Sequence, residues 1–283
     1  MDFLLHPETN RILTAALQED IGTGDHTSLS TIPKGTQSRA KCLIKDTGVL
    51  AGTKVAQRVF ELLEGEVVFD QKIADGTWVK PGDIAFYLEG DVQAILMGER
   101  LALNFMQRMS GIATQTRKVV ELIEDTGCRL LDTRKTTPLV RHMEKWAVHI
   151  GGAVNHRFGL YDMILIKDNH IDYAGGIPQA LAAARAYLKE KGLSLHIEIE
   201  TRSLEEVEMV LQSGGAYRIL LDNMSPDTLR KAVQLIDGKC QTEASGGITL
   251  ETVREVALTG VDFISMGALT HSFKSLDISL KAV

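Results

Sequence analysis

Residues 197–222, IEIETRSLEEVEMVLQSGGAYRILLD, contain a short apolar run, an amphipathic segment and a second apolar run. The first run ends in Glu200 and the second in Asp222, and residues 203–212 carry apolar side chains at three- and four-residue intervals. This pattern predicts a strand, a helix and a second strand parallel to the first. Two carboxylates then lie at the same edge of a parallel sheet.

The same unit recurs through the C-terminal half of the chain. Lys167, Glu200, Asp222, Ser245 and Gly267 follow one another at intervals of 33, 22, 23 and 22 residues, about one strand-plus-helix unit each. We therefore expect a parallel α/β barrel whose active site lies at one mouth, open and short of a complete ring of strands. The six strand-like runs and the polar residues that end them are 130–135, 164–167, 197–200, 219–222, 242–247 and 264–267.

The segments between the later runs have the apolar spacing of helices. Ser203, Ser225 and Thr249 precede three of them and suit the N-cap position, while Pro178 and Pro226 suit a first helical turn. The predicted helices are Pro178–Lys191, Ser203–Gln212, Pro226–Ile236 and Leu250–Leu258.

The first 110 residues have a different pattern, which predicts a small antiparallel sheet with a few helices in front of the barrel. Gly22, Gly24 and Asp25 are read as turn residues. The region from Glu99 to Glu124 is predicted to form one or two connecting helices with a bend near Ser110–Gly111. The other predicted elements are a helix over Asn10–Asp20 and strands over Arg39–Lys45, Glu66–Asp70, Thr77–Lys80 and Ile84–Glu89.

Composition excludes several classes of protein. The chain has 283 residues, of which 44% are hydrophobic, and this is enough for a large core. Its net charge of −6 argues against a nucleic-acid partner. The longest apolar runs are too short for a membrane helix and the start of the sequence lacks a signal peptide, so we expect a cytoplasmic protein with no membrane partner. Cys42, Cys128 and Cys240 are far apart, which favours reduced thiols.

Positive side chains gather at the predicted mouth. Arg134 and Lys135 follow the first strand, His156 and Arg157 lie in the next loop, and Lys167 ends the second strand. Such a cluster repels itself unless a polyanionic ligand binds to it. Arginine suits planar carboxylates, and lysine suits phosphate or carboxylate.

Acidic and glycine residues complete the candidate site. Glu200 and Asp222 are oxygen ligands suited to Mg²⁺ together with a phosphorylated substrate. Ser245–Gly246–Gly247 and Gly267 follow the last two strands, where barrels commonly bind phosphate through backbone N–H groups. The sequence thus predicts a carboxylate pocket, a metal-diphosphate pocket and a sugar-phosphate pocket.

Each feature also has a structural alternative. Taken alone, Arg134 and Lys135 can be explained as surface charges that precede a helix starting at Thr137–Pro138. Taken alone, His156 can be explained as a residue that makes a structural hydrogen bond. Glu200 and Asp222 suit a structural ion pair with Lys167 or Arg134. The recurrence of these residues at successive strand ends favours a site.

The sequence closely resembles the quinolinate phosphoribosyltransferase family from about Leu13 to Leu280. The resemblance implies an N-terminal α/β sandwich (1–110, with 275–283 packing on it), an open, incomplete α/β barrel (111–274), and homodimers or hexamers built from dimers. It also implies the reaction of quinolinate with 5-phosphoribosyl 1-diphosphate and Mg²⁺, which yields nicotinate mononucleotide, diphosphate and CO₂. The motifs that carry it are EDIGTGDHTS, ERLALNFMQRMSGIAT, LDTRKTTPLVRHMEKWAV, GGAVNHRFGLYDMILIKDNHI, ILLDNMSP, EASGGITLETV and SMGALTHSFKSLDISL.

The resemblance also implies roles for individual residues. The quinolinate carboxylates would be held by Arg134, His156, Arg157 and Lys167, near Thr133, with Arg100 reaching in from the neighbouring subunit. The ribose and the metal-bound diphosphate would face Lys135, Glu200 and Asp222. The 5-phosphate would be surrounded by Ser245, Gly246, Gly247, Gly267 and His271.

Two alternatives to this function are considered. A related enzyme that takes nicotinate, or a diverged paralogue associated with metal uptake, needs fewer cations for a monocarboxylate. A noncatalytic ligand sensor on the same scaffold does not need Lys135, Glu200 and Asp222 together. Retention of Arg100, Arg134, Arg157 and Lys167 favours a dicarboxylate substrate.

Overall fold

The computed structural model describes residues 6–283. Contacts between Cα atoms divide the chain into two compact units. The first contains residues up to Arg117, Thr136–Gly152 and Ala268–Val283, and the second contains Lys118–Lys135 and Ala153–Gly267. Over residues 6–283, no helix is long and apolar enough to cross a membrane.

An antiparallel sheet forms the centre of the first unit. Its four strands lie in the order β12-β1-β5-β3, and the C-terminal strand pairs with β1 so that Cys42 lies opposite Leu280. A separate two-stranded ribbon joins β2 to β4. The strands are β1 (Gln37–Ile44), β2 (Gly48–Val49), β3 (Val67–Gln71), β4 (Trp78–Val79), β5 (Ile84–Asp91) and β12 (Ile278–Ala282).

Helices complete the first unit. Phe60 on α3 and Phe69 and Phe86 on the sheet form a chain of aromatic contacts, with ring centroids 6.5 Å and 4.2 Å apart. The burial of such rings contributes a large share of a small domain's stability. The helices are α1 (Pro7–Ile21), α2 (His26–Thr31), α3 (Thr53–Glu61), α4 (Val92–Ile123, which continues into the second unit), α5 (Arg141–Ile150) and α11 (Ala268–His271).

The long helix α4 is continuous through Ser110–Gly111, where the sequence predicted a bend. Both residues instead serve close packing. The Ser110 hydroxyl accepts a hydrogen bond from Ala51 N and donates one to Ala51 O, which satisfies buried backbone next to β2. A Cβ atom at Gly111 would lie 2.3 Å from Lys274 O, so glycine here permits a close backbone approach.

Six parallel strands form the sheet of the second unit, in the order β6-β11-β10-β9-β8-β7. The outermost strands β6 and β7 do not pair with each other, so the sheet is open. The strands are β6 (Arg129–Leu131), β7 (Ile164–Ile166), β8 (Ile197–Thr201), β9 (Arg218–Asp222), β10 (Gln241–Ser245) and β11 (Phe263–Ser265), and the helices are α6 (Asp168–Ala174), α7 (Ile177–Lys191), α8 (Leu204–Ser213), α9 (Pro226–Ile236) and α10 (Val253–Ala257).

The predicted fold class is confirmed, with an antiparallel N-terminal sheet and a parallel C-terminal one. Ser203 and Ser225 cap α8 and α9, as predicted. The prediction for Thr249 is wrong, because α10 begins at Val253 after a turn. Asp25, read as a turn residue, caps α2 by accepting from Ser28 N at 3.0 Å.

The predicted domain boundary between residues 110 and 111 falls inside α4. The compact units also differ from the predicted ranges, since 136–152 and 268–274 group with the N-terminal sheet. The division into 1–110 and 111–274 stays a prediction. The pairing of β12 with β1 places 278–282 on the N-terminal sheet.

Candidate active site

Strand register places the predicted polar residues on one face of the parallel sheet. Glu198 pairs with Arg218, and Gln241 also pairs with Arg218, so alternate residues of β8, β9 and β10 share that face. The same alternation places Lys167, Glu200, Asp222 and Ser245 on it, at the C-terminal ends of β7 to β10. These four residues therefore lie at the same edge of the sheet, as their spacing in the sequence predicted.

Lys167 and Glu200 form an ion pair at this edge. Lys167 Nζ lies 3.2 Å from Glu200 Oε2, and the two side chains are 48% and 11% exposed. This is the ion pair that the structural alternative predicted. Lys167 is open to solvent, whereas Glu200 is largely buried, so the pair is screened less than an ion pair between two exposed side chains.

Asp222 and Gly246 are linked through Asn223. Asn223 Nδ2 donates to Asp222 Oδ2 at 2.6 Å, and Asn223 N donates to Ser245 O at 2.9 Å. Gly246 has φ +94°, and a Cβ atom there would lie 2.3 Å from Asn223 Oδ1. Glycine is thus required at 246 by both backbone conformation and space, whereas nothing lies within 4 Å of a Cβ atom at Gly247.

The loop that carries His156 and Arg157 is anchored to the end of β6. Asp132 is buried, and its carboxylate accepts from Asn155 Nδ2 at 2.6 Å and from His156 N at 2.8 Å. Arg134 and Lys135 follow Asp132 directly in the chain. One carboxylate thus joins the two segments that bear the predicted cations.

Arg134 and Arg157 lie close enough to influence each other. Burial lowers the pKa of Arg157, and the positive charge of Arg134 lowers it further. Arg157 Nη1 donates to Met163 O at 3.1 Å, which fixes the guanidinium. The negative charges of Glu198 and Asp162 act on Arg157 in the opposite direction.

Lys135 is exposed, and its backbone N–H donates to the Thr133 hydroxyl at 3.0 Å. The loop that follows Lys135 is held in the first unit. Glu144 is buried and accepts from Thr137 N at 3.1 Å and from Arg108 Nε at 2.9 Å. This loop, and not a helix from Thr137, precedes α5 at Arg141.

The His156 ring points into the interior of the second unit. Its Nε2 lies 3.1 Å from Glu198 Oε2 and 3.5 Å from Glu243 Oε2, and the side chain is 7% exposed. Arg218 lies between the same two acids, 2.8 Å from Glu243 and 4.0 Å from Glu198. We call these four residues the buried cluster.

The protonation of the buried cluster follows from these distances. Burial and the charge of Glu243 raise the pKa of Glu198. Burial also opposes ionisation of Glu243, but His156, Ser265 and the closer Arg218 lower its pKa. For His156, burial lowers the pKa, but Glu198 and Glu243 raise it more strongly, so the net direction is upward. Its Nδ1 accepts from Arg157 N at 2.7 Å, a bond that only the neutral ring with its proton on Nε2 can make, and this bond opposes the rise.

The remaining predicted site residues lie elsewhere in the chain. Gly267 follows β11 in the second unit. Arg100 is exposed on α4 and His271 is exposed on α11, both in the first unit. His271 Nδ1 lies 2.6 Å from the Ser272 hydroxyl. Their assignment to the same pocket stays a prediction.

Sequence reasoning overlooked the residues that support the site. Glu198 and Glu243 lie within β8 and β10, Arg218 begins β9, and all three are buried. A charged residue in a buried strand indicates an interior polar network. For Asp132, the sequence showed only that it follows the apolar residues Leu130 and Leu131. Its role depends on contacts with a loop more than 20 residues away, which spacing alone does not reveal.

Comparisons with known proteins agree along nearly the whole chain. The family model for the quinolinate phosphoribosyl transferase N-terminal domain matches residues 25–110, and the model for the C-terminal domain of the same family matches residues 112–281.

Curated relatives and solved structures give the same result. The chain is 46% identical to the chloroplastic nicotinate-nucleotide pyrophosphorylase [carboxylating] of Arabidopsis thaliana, over 98% of this chain and 84% of the relative. It is 44% identical to the probable nicotinate-nucleotide pyrophosphorylase [carboxylating] of Bacillus subtilis, over 97% and 93%. The nicotinate-nucleotide pyrophosphorylase structure from Francisella tularensis superposes with a TM-score of 0.93 at 36% identity, over 100% of this chain and 99% of that one.

Proposed function

The chain belongs to the quinolinate phosphoribosyltransferase family, and from this premise we propose that it transfers a phosphoribosyl group to quinolinate with loss of CO₂. The substrates are quinolinate and 5-phosphoribosyl 1-diphosphate. The products are nicotinate mononucleotide, diphosphate and CO₂, and the reaction serves NAD biosynthesis. The observation that carries the proposal is the family match over residues 25–281, with charged residues of both signs at the C-terminal edge of one sheet.

Quinolinate binds in this proposal next to Thr133, where its two carboxylates contact Arg134, His156, Arg157 and Lys167. The charge of Arg134 contributes to the lowered pKa of Arg157, and this supports a shared anionic ligand, because a dianion offsets the repulsion between the two guanidinium groups. Lys167 already pairs with a carboxylate in the structure. If a substrate carboxylate takes the place of Glu200 beside Lys167, the positive charge of Lys167 stays paired.

The phosphoribosyl donor lies on the other side of the same edge. Lys135, Glu200 and Asp222 face its ribose and diphosphate, and its 5-phosphate lies against Ser245, Gly246 and Gly247, with Gly267 and His271. The positive φ angles of Gly246 and Gly247 support this placement, since backbone of this kind directs N–H groups toward anions.

Mg²⁺ is the proposed cofactor, and the residues present fit it. Glu200 and Asp222 offer hard carboxylate oxygens from adjacent strands on one face of the sheet. When bound, the ion supplies positive charge to the diphosphate of the donor. Lys135 contributes further positive charge at the same group, and its exposed position at the edge of the sheet allows the contact.

The chemistry requires positioning and electrostatic stabilisation rather than a covalent nucleophile. The pyridine nitrogen forms a bond to ribose C1 as the bond from C1 to the diphosphate oxygen breaks, through an oxocarbenium-like centre. The carboxylate next to the ring nitrogen then leaves as CO₂. Its bonding electrons stay on the ring carbon, stabilised by the pyridinium, and that carbon takes up a proton. Arg134 and Arg157 hold the remaining carboxylate throughout.

The proposed assembly is a homodimer, or a hexamer built from dimers, in which Arg100 enters the neighbouring subunit's site. The exposure of Arg100 on the continuous helix α4 supports this. The proposed location is the cytoplasm. The Arabidopsis thaliana relative is named as a chloroplastic protein and one Nicotiana glauca relative as a mitochondrial protein, whereas the name of the Bacillus subtilis relative gives no organelle.

The proposal is tested by turnover with two competing acceptors. Purified protein is incubated with 5-phosphoribosyl 1-diphosphate, Mg²⁺ and either quinolinate or nicotinate, and the mononucleotide is quantified. We expect product from quinolinate and little from nicotinate, since the cationic pocket suits a dianion. A preference for nicotinate would support the related monocarboxylate enzyme, and binding without turnover would support the ligand sensor.

A further inference from the structure

Two glutamine side chains of α4 hold the chain that follows β11, and we call residues 268–278 the docked segment. Gln107 and Gln115 are eight residues apart and lie in one row along the helix. At one end of the docked segment, Gln115 Nε2 donates to Ala268 O at 2.9 Å. At the other end, Gln107 Nε2 donates to Ile278 O at 2.8 Å. The docked segment is therefore fixed to α4 at both ends.

The middle of the docked segment contacts the backbone of the same helix. Gly111 lies in the row between the two glutamines, and a Cβ atom there would lie 2.3 Å from Lys274 O. Leu276 N donates to Gln107 O, a carbonyl of the helix itself, at 3.0 Å. Docking thus depends on several contacts, and loss of the bond from Gln115 alone has a local effect.

The bond from Gln115 is not required to satisfy Ala268 O. That carbonyl already accepts from Ser272 N at 3.1 Å, which closes the turn of α11. One bond is enough to satisfy a carbonyl, whereas a helix of four residues is too short to hold its own geometry. Gln115 therefore orients the turn of α11 rather than supplying a missing partner.

The turn of α11 presents His271 at its end. Leu269 is fully buried and anchors the turn, whereas His271 is exposed. The Ser272 hydroxyl lies 2.6 Å from His271 Nδ1, and the backbone N–H of the same serine donates to Ala268 O. A chain of contacts therefore runs from Gln115 to the imidazole ring of His271.

We infer that Gln115 is a positioning residue, which orients the turn of α11 and acts on the 5-phosphate of the donor only through His271. This rests on the proposed function, which places His271 at that phosphate. The diphosphate group of the donor contacts other residues in the proposed site, so its binding should not depend on Gln115.

Two competitive inhibitors report separately on the two ends of the donor. Ribose 5-phosphate carries the 5-phosphate, and inorganic diphosphate represents the leaving group. Gln115→Met keeps the length and helix propensity of the side chain but removes its N–H donor. We expect the Ki for ribose 5-phosphate to rise about fivefold and the Ki for diphosphate to change less than about twofold. Equal rises in the two Ki values, or no rise in either, would overturn the inference.

Gln107→Met is the matched control, because it removes the same kind of bond at the other end of the docked segment. Both variants should lower Tm by about 2–4 °C, since each loses one hydrogen bond to a backbone carbonyl. The control should leave both Ki values unchanged. If it raised the Ki for ribose 5-phosphate as much as Gln115→Met does, general loosening of the docked segment would explain the effect, and this would contradict the inference.

A double-mutant cycle tests the route through His271. His271→Ala alone should raise the Ki for ribose 5-phosphate, and adding Gln115→Met should then raise it by less than about twofold. Losses that multiply would mean that Gln115 acts on the phosphate by another route, and they would overturn the inference. Wild-type protein that forms no mononucleotide from quinolinate would instead refute the proposed function.

Discussion

Gly246→Ala is predicted to impair the phosphoribosyl donor site selectively. Gly246 has φ +94°, and an added Cβ atom would lie 2.3 Å from Asn223 Oδ1 and 2.5 Å from Asn223 Cγ. These atoms must move, and the hydrogen bond from Asn223 to Asp222 then breaks. Gly247→Ala is the matched control, because Gly247 has φ +61° and open space around it.

The magnitudes follow from these differences. A left-handed conformation costs a non-glycine residue about 1–2 kcal/mol, which applies to both variants. Gly246→Ala adds the displacement of Asn223 and the lost bond to a charged group, so we expect its free energy of unfolding to fall by about 2–4 kcal/mol. Each kcal/mol lowers Tm by roughly 2–4 °C in a protein of about this size.

Thermal unfolding and steady-state kinetics measure the two effects. Because Asp222 faces the donor in the proposed site, we expect Gly246→Ala to raise the KM for 5-phosphoribosyl 1-diphosphate about tenfold, while the Kd for quinolinate changes less than about twofold. Asn223→Gly in the same chain relieves the clash and should restore part of the lost stability. Equal Tm and equal donor KM for the two glycine variants would refute the reasoning.

Further predictions concern the cations and one buried histidine. Lys135→Ala should lower kcat about 10²–10³-fold while quinolinate still binds, and unchanged turnover would remove this role. Arg157→Ala should raise the Kd for quinolinate about 10- to 100-fold by calorimetry, and a wild-type value would argue against the carboxylate pocket. Hybrids of Arg100→Ala and Lys135→Ala chains should regain activity if the site is shared, and verified hybrids without activity would contradict this. Burial, together with the charge of His6, lowers the pKa of His142 from 6.5 to about 4. The contribution of neutral His142 to the free energy of unfolding is therefore complete above pH 6.5 and is lost as the pH falls toward 4. Urea unfolding measures this effect, and between pH 7 and pH 5 the free energy of unfolding of His142→Phe should fall by about 2 kcal/mol less than that of the wild type. Parallel pH profiles of the free energy of unfolding for the two proteins would disprove the prediction.

The sequence predicted the parallel sheet because its strands repeat at nearly constant spacing and end in polar residues. Glu200 and Asp222 are at equivalent strand ends, and period-two alternation then determines the face that they share. Helix caps at Ser203 and Ser225 are equally local signals. Such features depend on neighbours in the chain, which the sequence displays directly.

Features that depend on distant contacts were not predicted. The role of Gly111 depends on the carbonyl of Lys274, and the anchoring role of Asp132 depends on a loop that follows α5. His156 showed the same limit, because the direction of its ring is set by Glu198 and Glu243 on other strands. A residue's type suggests what it can bind, but tertiary contacts decide which partner it has.

Quinolinate labelled separately in each carboxylate gives the most direct test of the proposed reaction. The protein is incubated with 5-phosphoribosyl 1-diphosphate, Mg²⁺ and each labelled substrate, and label is counted in CO₂ and in the mononucleotide. Label from the carboxylate next to the ring nitrogen should appear in CO₂ in equal amount to the mononucleotide formed, and label from the other should stay in the mononucleotide. Mononucleotide formed without labelled CO₂, or neither product formed at all, would contradict the proposed function of this chain.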